Sequence, residues 1–155
     1  MGKQFFWVNH NQTCKQERGN NGNGSGDGYI WSPKENRNGS INQTYENLKK
    51  VRIGDIIFSY ANKKIEFIGI AKSIVYDAEK PSEFKNWDKS GWKVNVDFSY
   101  RIVPPFSPKA HIADLERLLP FKYSPIRRNG NGNQCCYLAM LSNELGEKIL
   151  KLLSC

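Results

Sequence analysis

The chain has 155 residues, enough for one domain with a single apolar core. It is 39% hydrophobic and 12% aromatic, too aromatic and too patterned for a disordered chain, and no run of about 18 apolar residues is present to span a bilayer. A formal net charge of +8 favours a polyanionic partner, nucleic acid before an anionic membrane surface, with solubility alone as the plain alternative.

The N-terminus, Met1-Gly2-Lys3-Gln4, has no apolar leader and enters a strand-like segment at once. Cys14, Cys135, Cys136 and Cys155 show no C-x-x-C spacing, and adjacent Cys135 and Cys136 would point to opposite faces of a strand. The expectation is a reduced, cytoplasmic protein without a structural zinc site. The Asn-x-Ser/Thr matches at Asn11, Asn38 and Asn42 carry no information without a secretory signal.

In chain order, Gln4–Val8 reads as a buried first strand, with Trp7 in its core. Residues 19–28 form a glycine- and asparagine-rich loop, and Tyr29–Trp31 is a brief strand stopped by Pro33. Asn42–Lys50 is a short helix. Ile56–Tyr60 and Ile65–Val75 make a hairpin across Asn62-Lys63-Lys64. Trp92–Val103 alternates, with Val94, Val96 and Phe98 on one face, and Pro104-Pro105 stops it. Ser107-Pro108 starts a helix over His111–Leu119 that Pro120 ends. Gln134–Leu141 is the last strand, and Ser142 caps a final helix striped by Leu145, Ile149, Leu152 and Leu153. The fold class is α+β: a small curved sheet or partial barrel with helices packed outside.

Three tryptophans stand in polar sequence near strand edges: Trp31, Trp87 and Trp92. Indoles at the rim of a sheet can sandwich a flat guest, and on a basic chain that guest is a base drawn from its stack. Core packing is the alternative for Trp31 and Trp87, and fits Trp92 at least as well because it shares parity with Val94 and Val96. Asn9 offers donor and acceptor for a base edge or serves an ordinary turn. Tyr60 stacks or packs in the core, and Ser32 and Ser59 supply small polar contacts. Arg127 and Arg128 precede a glycine-rich loop suited to phosphates or merely solvated, and Lys49, Lys50 and Arg52 form a second backbone-contact point. Chemistry is poorly provided for. His10 and His111 have no metal-ligand spacing, no nucleophile-elbow motif occurs, and Asp77 with Glu83-Phe84-Lys85 is a chance-level nuclease pattern. The expectation is a domain that binds, needs no cofactor or metal, and does not catalyse.

The chain resembles the EVE branch of the PUA-like superfamily. The resemblance lies in Phe6-Trp7-Val8-Asn9, Gly28-Tyr29-Ile30-Trp31-Ser32-Pro33, Ile53 to Tyr60, Ile68-Gly69-Ile70-Ala71, Ser124-Pro125-Ile126-Arg127 and Gly132 to Leu138. Their collinear order over residues 4 to 153 is similar to EVE domains at the N-terminus of modification-dependent restriction endonucleases. The related YTH domains place cage tryptophans much as Trp31 precedes Ser32 and as Trp87 and Trp92 precede a long strand. The resemblance implies a single domain over 1–155, standing alone or as a piece of a larger restriction enzyme. It implies a reader of 5-methylcytosine or 5-hydroxymethylcytosine in modified double-stranded DNA, joined to a C-terminal nuclease domain. A YTH-like N6-methyladenine reader and an RNA-binding PUA-like module without modification preference are the alternatives.

Overall fold

The computed structural model describes residues 3–10, 17–19, 25–36, 38–79, 90–133 and 136–154. Seven strands form one sheet: β1 (Phe5–Asn9), β2 (Gly28–Pro33), β3 (Ile56–Ala61), β4 (Lys64–Ala71), β5 (Tyr76–Ala78), β6 (Gly91–Phe106) and β7 (Leu138–Leu141). Their spatial order is β2-β6-β4-β3-β1-β7, with β5 on β6, and β1 runs parallel to β3 while the other pairs are antiparallel. Helix α1 (Gln43–Glu46) continues into a 3₁₀ turn, Asn47–Lys50. Helix α2 (Ile112–Leu115) lies between two 3₁₀ turns, and α3 (Asn143–Leu153) closes the domain. Among the described residues, no helix is long and apolar enough to cross a membrane.

Side-chain alternation splits the sheet residues between two apolar clusters. On one face Phe5, Trp7, Phe58, Tyr60 and Ile65 pack with Leu115 of α2 and with Leu145 and Ile149 of α3. On the other, Phe6, Val8, Ile30, Ile57, Val94, Val96 and Phe98 pack around Leu48. Long β6 pairs with β2 and β5 at its start and with β4 beyond, and register shifts in β4 bend the sheet. The result is the α+β architecture expected, a curved, partly closed half-barrel with short flanking helices.

Local chemistry fixes the elements. Asn42 caps α1 by accepting from Thr44 N at 2.9 Å, and Ser142 caps α3 by accepting from Leu145 N at 3.1 Å. Leu152 and Leu153 are only partly buried against the core. Several readings change: the second hairpin strand ends at Ala71 rather than Val75, and the segment His111–Leu119 is α-helical only over Ile112–Leu115. Pro104 and Pro105 do not stop β6, which continues to Phe106. Ile65 pairs with Phe106 and Phe67 with Arg101, so the prolines lie in a bulged stretch where no ladder bond is lost. Strand β5, only three residues long, carries no alternation that a sequence pattern would register.

Candidate functional site

The carboxyl ends of β1 and β3 and the start of β7 lie at one end of the half-barrel. A buried polar cluster forms there. His10 follows β1, and its Nδ1 is 2.7 Å from Ser59 Oγ, while its Nε2 is 3.0 Å from Glu17 Oε2. Arg18 Nε donates to the same Ser59 hydroxyl at 2.8 Å, and its guanidinium lies 4.7 Å from the Phe67 ring centroid. Tyr137, just before β7, donates its hydroxyl to Glu17 Oε1. Trp31 N–H, on the edge of β2 away from β6, donates to Glu17 Oε1 at 2.9 Å and to the Tyr137 hydroxyl at 3.0 Å. Edge strands β2 and β7 are thus joined by side chains where no backbone ladder connects them. Gly28 permits this, since a Cβ there would sit 2.8 Å from the Glu17 carbonyl oxygen. Burial, and then the Glu17 charge, pushes the Tyr137 phenol well above its ordinary pKa.

Ser59, His10 and Glu17 have the connectivity of a nucleophile–base–acid triad. Access decides against that use: Ser59 and Glu17 are fully buried, His10 is 1% exposed, and Ser59 Oγ already accepts from Arg18. The cluster is a clamp on the backbone of Trp31. Among the described residues, no group of three His, Cys, Asp or Glu side chains is placed to hold a metal.

The two described candidate tryptophans do not share a slot. Trp31 pairs with Lys93 and Ser32 with Trp92, so the indoles leave opposite faces of the β2–β6 ladder. Trp31 is 1% exposed yet belongs to neither apolar cluster. Its ring lies over Gly91, where a Cβ would meet it at 2.6 Å, and its Nε1 donates to Ala78 O at 3.4 Å. Trp92 packs, partly buried, against the Val94–Val96 cluster, with Lys34 Nζ at 4.6 Å and Lys49 Nζ at 4.8 Å from its ring. Lys34 also pairs with Asp77 and holds that carboxyl below its usual pKa. Trp87 lies outside the described residues, as do Cys14, Cys135, Cys155, Asn11, Glu83 and Lys85.

The other expected pocket residues are distributed differently. Asn9 and Tyr60 face the helix-packed cluster, away from Ser59. Asn9 accepts from Trp7 Nε1 and donates to the carbonyls of Pro125, Asn133 and Cys136. Its amide anchors the 124–133 segment and Cys136, and the Tyr60 ring packs 5.2 Å from that of Trp7. Ser32 is buried and donates to Pro33 O. Among the basic residues, Lys50 lines a shallow cavity of about 250 Å³, and Arg127 and Arg128 line another of about 300 Å³. Lys49 pairs with Glu46 at 2.9 Å, and the backbone N–H of Arg52 donates to Asp55.

Glu17, Arg18 and Tyr137 escaped the sequence reading. Adjacent Glu17 and Arg18 beside a glycine-rich stretch were a faint signal, and Tyr137 lay inside a motif read only for its order.

No family model matches the chain, and no curated protein does. Solved structures do. Human THYN1, in complex with 5-methylcytosine-containing DNA, matches with TM-score 0.59 at 13% identity, covering 99% of each chain. They share a fold. The YTH domain of Pho92, in complex with m6A, matches with TM-score 0.55 at 12% identity, covering 99% of this chain and 84% of that one. A hypothetical protein from Leishmania major gives 0.63 at 10% identity, over 99% and 96% of the two chains. The chain therefore shares its fold with THYN1 and with the YTH domain of Pho92.

Proposed function

We propose that this domain is a DNA-binding reader that flips a nucleotide and recognises a modified base, 5-methylcytosine or 5-hydroxymethylcytosine, at the Trp31 end of the half-barrel. The observation that carries the reading is Trp31 itself. It is a large aromatic residue outside both core clusters, held by its backbone through Glu17 and Tyr137 and with its ring against Gly91. The fold shared with THYN1 bound to 5-methylcytosine DNA supports it, as does the net charge of +8. In this reading Trp31 is one wall and Trp87 the other, while Ser32 lies on the opposite face of the ladder with Trp92. Trp92 stiffens the ladder beneath, and Arg127, Arg128, Lys49, Lys50 and Arg52 hold phosphates. The domain binds and does not catalyse, and it directs a nuclease joined to it, as in a modification-dependent restriction enzyme.

The energetics are near balance, which is what a reader requires. Flipping costs a few kcal/mol and base–aromatic stacking returns about 1–3 kcal/mol. One buried methyl adds about 0.8 kcal/mol by transfer alone, about fourfold, and a slot shaped to it discriminates by about 1–3 kcal/mol, about 10- to 200-fold. Because Trp31 is 1% exposed, a base reaches it only by displacing what covers the ring. The likeness to the m6A-bound Pho92 domain supports N6-methyladenine as the second guest. Titration of matched DNA duplexes and RNA strands, each with and without the modified base, tests the reading. A tenfold preference for one modified duplex, lost in a folded Trp31→Ala variant, is expected. Equal affinity for modified and unmodified duplexes, or tighter binding to unmodified RNA, contradicts it.

A further inference from the structure

A second surface lies where the segment after α2 leaves the core. Phe121 is 91% exposed and Tyr123 54% exposed, although nothing in the two apolar clusters needs either ring. Tyr123 lines both shallow cavities and so joins them into one tract. Lys50 and Lys122 line one side of it, Arg127 and Arg128 the other, and among the described residues no acidic side chain lines either cavity. All four cations are exposed.

The support beneath is fixed. Ile126 is 1% exposed in the helix-packed core. Asn9 holds the carbonyls of Pro125, Asn133 and Cys136. Asn133 ties back to Pro125 O through its N–H and to Ser124 O through its amide. Arg127 N–H donates to Asn131 O at 2.7 Å. Two bare rings among four cations on an ordered support match the chemistry of a nucleic-acid strand, bases stacking on the rings and phosphates on the cations. Charge complementarity selects a DNA strand over an apolar protein partner or a second copy of this basic chain.

We propose that Phe121 and Tyr123 form a stacking platform for unpaired bases of a DNA strand, with Lys50, Lys122, Arg127 and Arg128 holding its phosphates. The proposal deepens the reader function and rests on it for a role, since flipping one nucleotide leaves unstacked neighbours to be received. Asn9 anchors the platform to the end of β1.

Fluorescence anisotropy with a labelled, unmodified 12-nucleotide DNA strand and the full chain tests it, with affinities compared at one salt concentration and slopes taken over a salt series. Phe121→Ala with Tyr123→Ala should weaken binding at least fivefold, the lower end expected for one lost stacked base. Phe121→Trp should keep wild-type affinity and Phe121→Leu should not. Lys122→Ala and Arg128→Ala should each reduce the log–log salt slope by about 0.7. Thermal unfolding confirms that each variant folds, as the exposure of Phe121 leads one to expect. Binding by the double variant within twofold of wild type, or full rescue by Phe121→Leu, would overturn the platform. The ratio of modified to unmodified duplex affinity is a separate readout: its absence in the wild type defeats the reader function, whereas only the single-strand result bears on the platform.

Discussion

Tyr137 uses one hydroxyl twice, donating to Glu17 and accepting from Trp31 N–H, so its loss takes one of two donors from a buried carboxylate oxygen and loosens the clamp on β2. Tyr137→Phe should cost about 1–3 kcal/mol in denaturant unfolding. The pH dependence has a definite sign. The phenol is raised in the folded state, by burial first and the Glu17 charge second, so the unfolded chain deprotonates earlier, near its ordinary value of about 10. The stability it contributes is full below about pH 10 and is lost as pH rises toward the folded value. Tyr137→Phe should flatten the alkaline limb of a stability–pH curve, with a residual slope from Tyr45 and Tyr60, which burial also raises. An unchanged alkaline limb would contradict the assignment. Trp31 could be singled out from sequence because polar neighbours and a Ser-Pro stop mark a strand end. Glu17 could not, because a carboxylate in a polar stretch looks solvated until its three partners from distant elements are seen.

Strand β6 positions the site through Gly91, whose missing side chain is where the Trp31 ring rests. Gly91→Ala puts a methyl into that ring and against Ser32 O. It should lower duplex affinity and stability together, by about 1–3 kcal/mol in unfolding. Asn9→Ala acts on the other side of β1. It frees the carbonyls of Pro125, Asn133 and Cys136 and should weaken binding to all DNA alike, leaving the modified-to-unmodified ratio within twofold. A changed ratio would return Asn9 to the base pocket. Strands with clean alternation, such as Val94 to Phe98, were legible, and so were the helix starts at Asn42 and Ser142. The continuation of β6 past Pro104 was not, because a bulge in its pairing with β4 decides it. The opposite facing of Trp31 and Trp92 follows from the β2–β6 register, which local sequence does not contain.

Across the whole molecule, the order of motifs from Phe6 to Leu138 foretold the half-barrel, since the sheet follows from which strands exist and how their apolar faces alternate. The site was only partly legible: its parts come from β1, β2, β3, the 17–19 segment and β7, and convergence of that kind is set by topology. Charge is the global handle on binding. With Arg127 and Arg128 both replaced by Ala, the log–log salt slope on duplex DNA should fall by about 1.8 for two lost phosphate contacts. An unchanged slope would place that loop off the DNA. The most direct measurement is the affinity ratio between a 5-methylcytosine duplex and its unmodified twin, for the wild type and for Trp31→Ala. A ratio of about ten or more that collapses to one in a folded variant is expected; a ratio of one in the wild type, or one that survives the loss of Trp31, contradicts the reader function at this site.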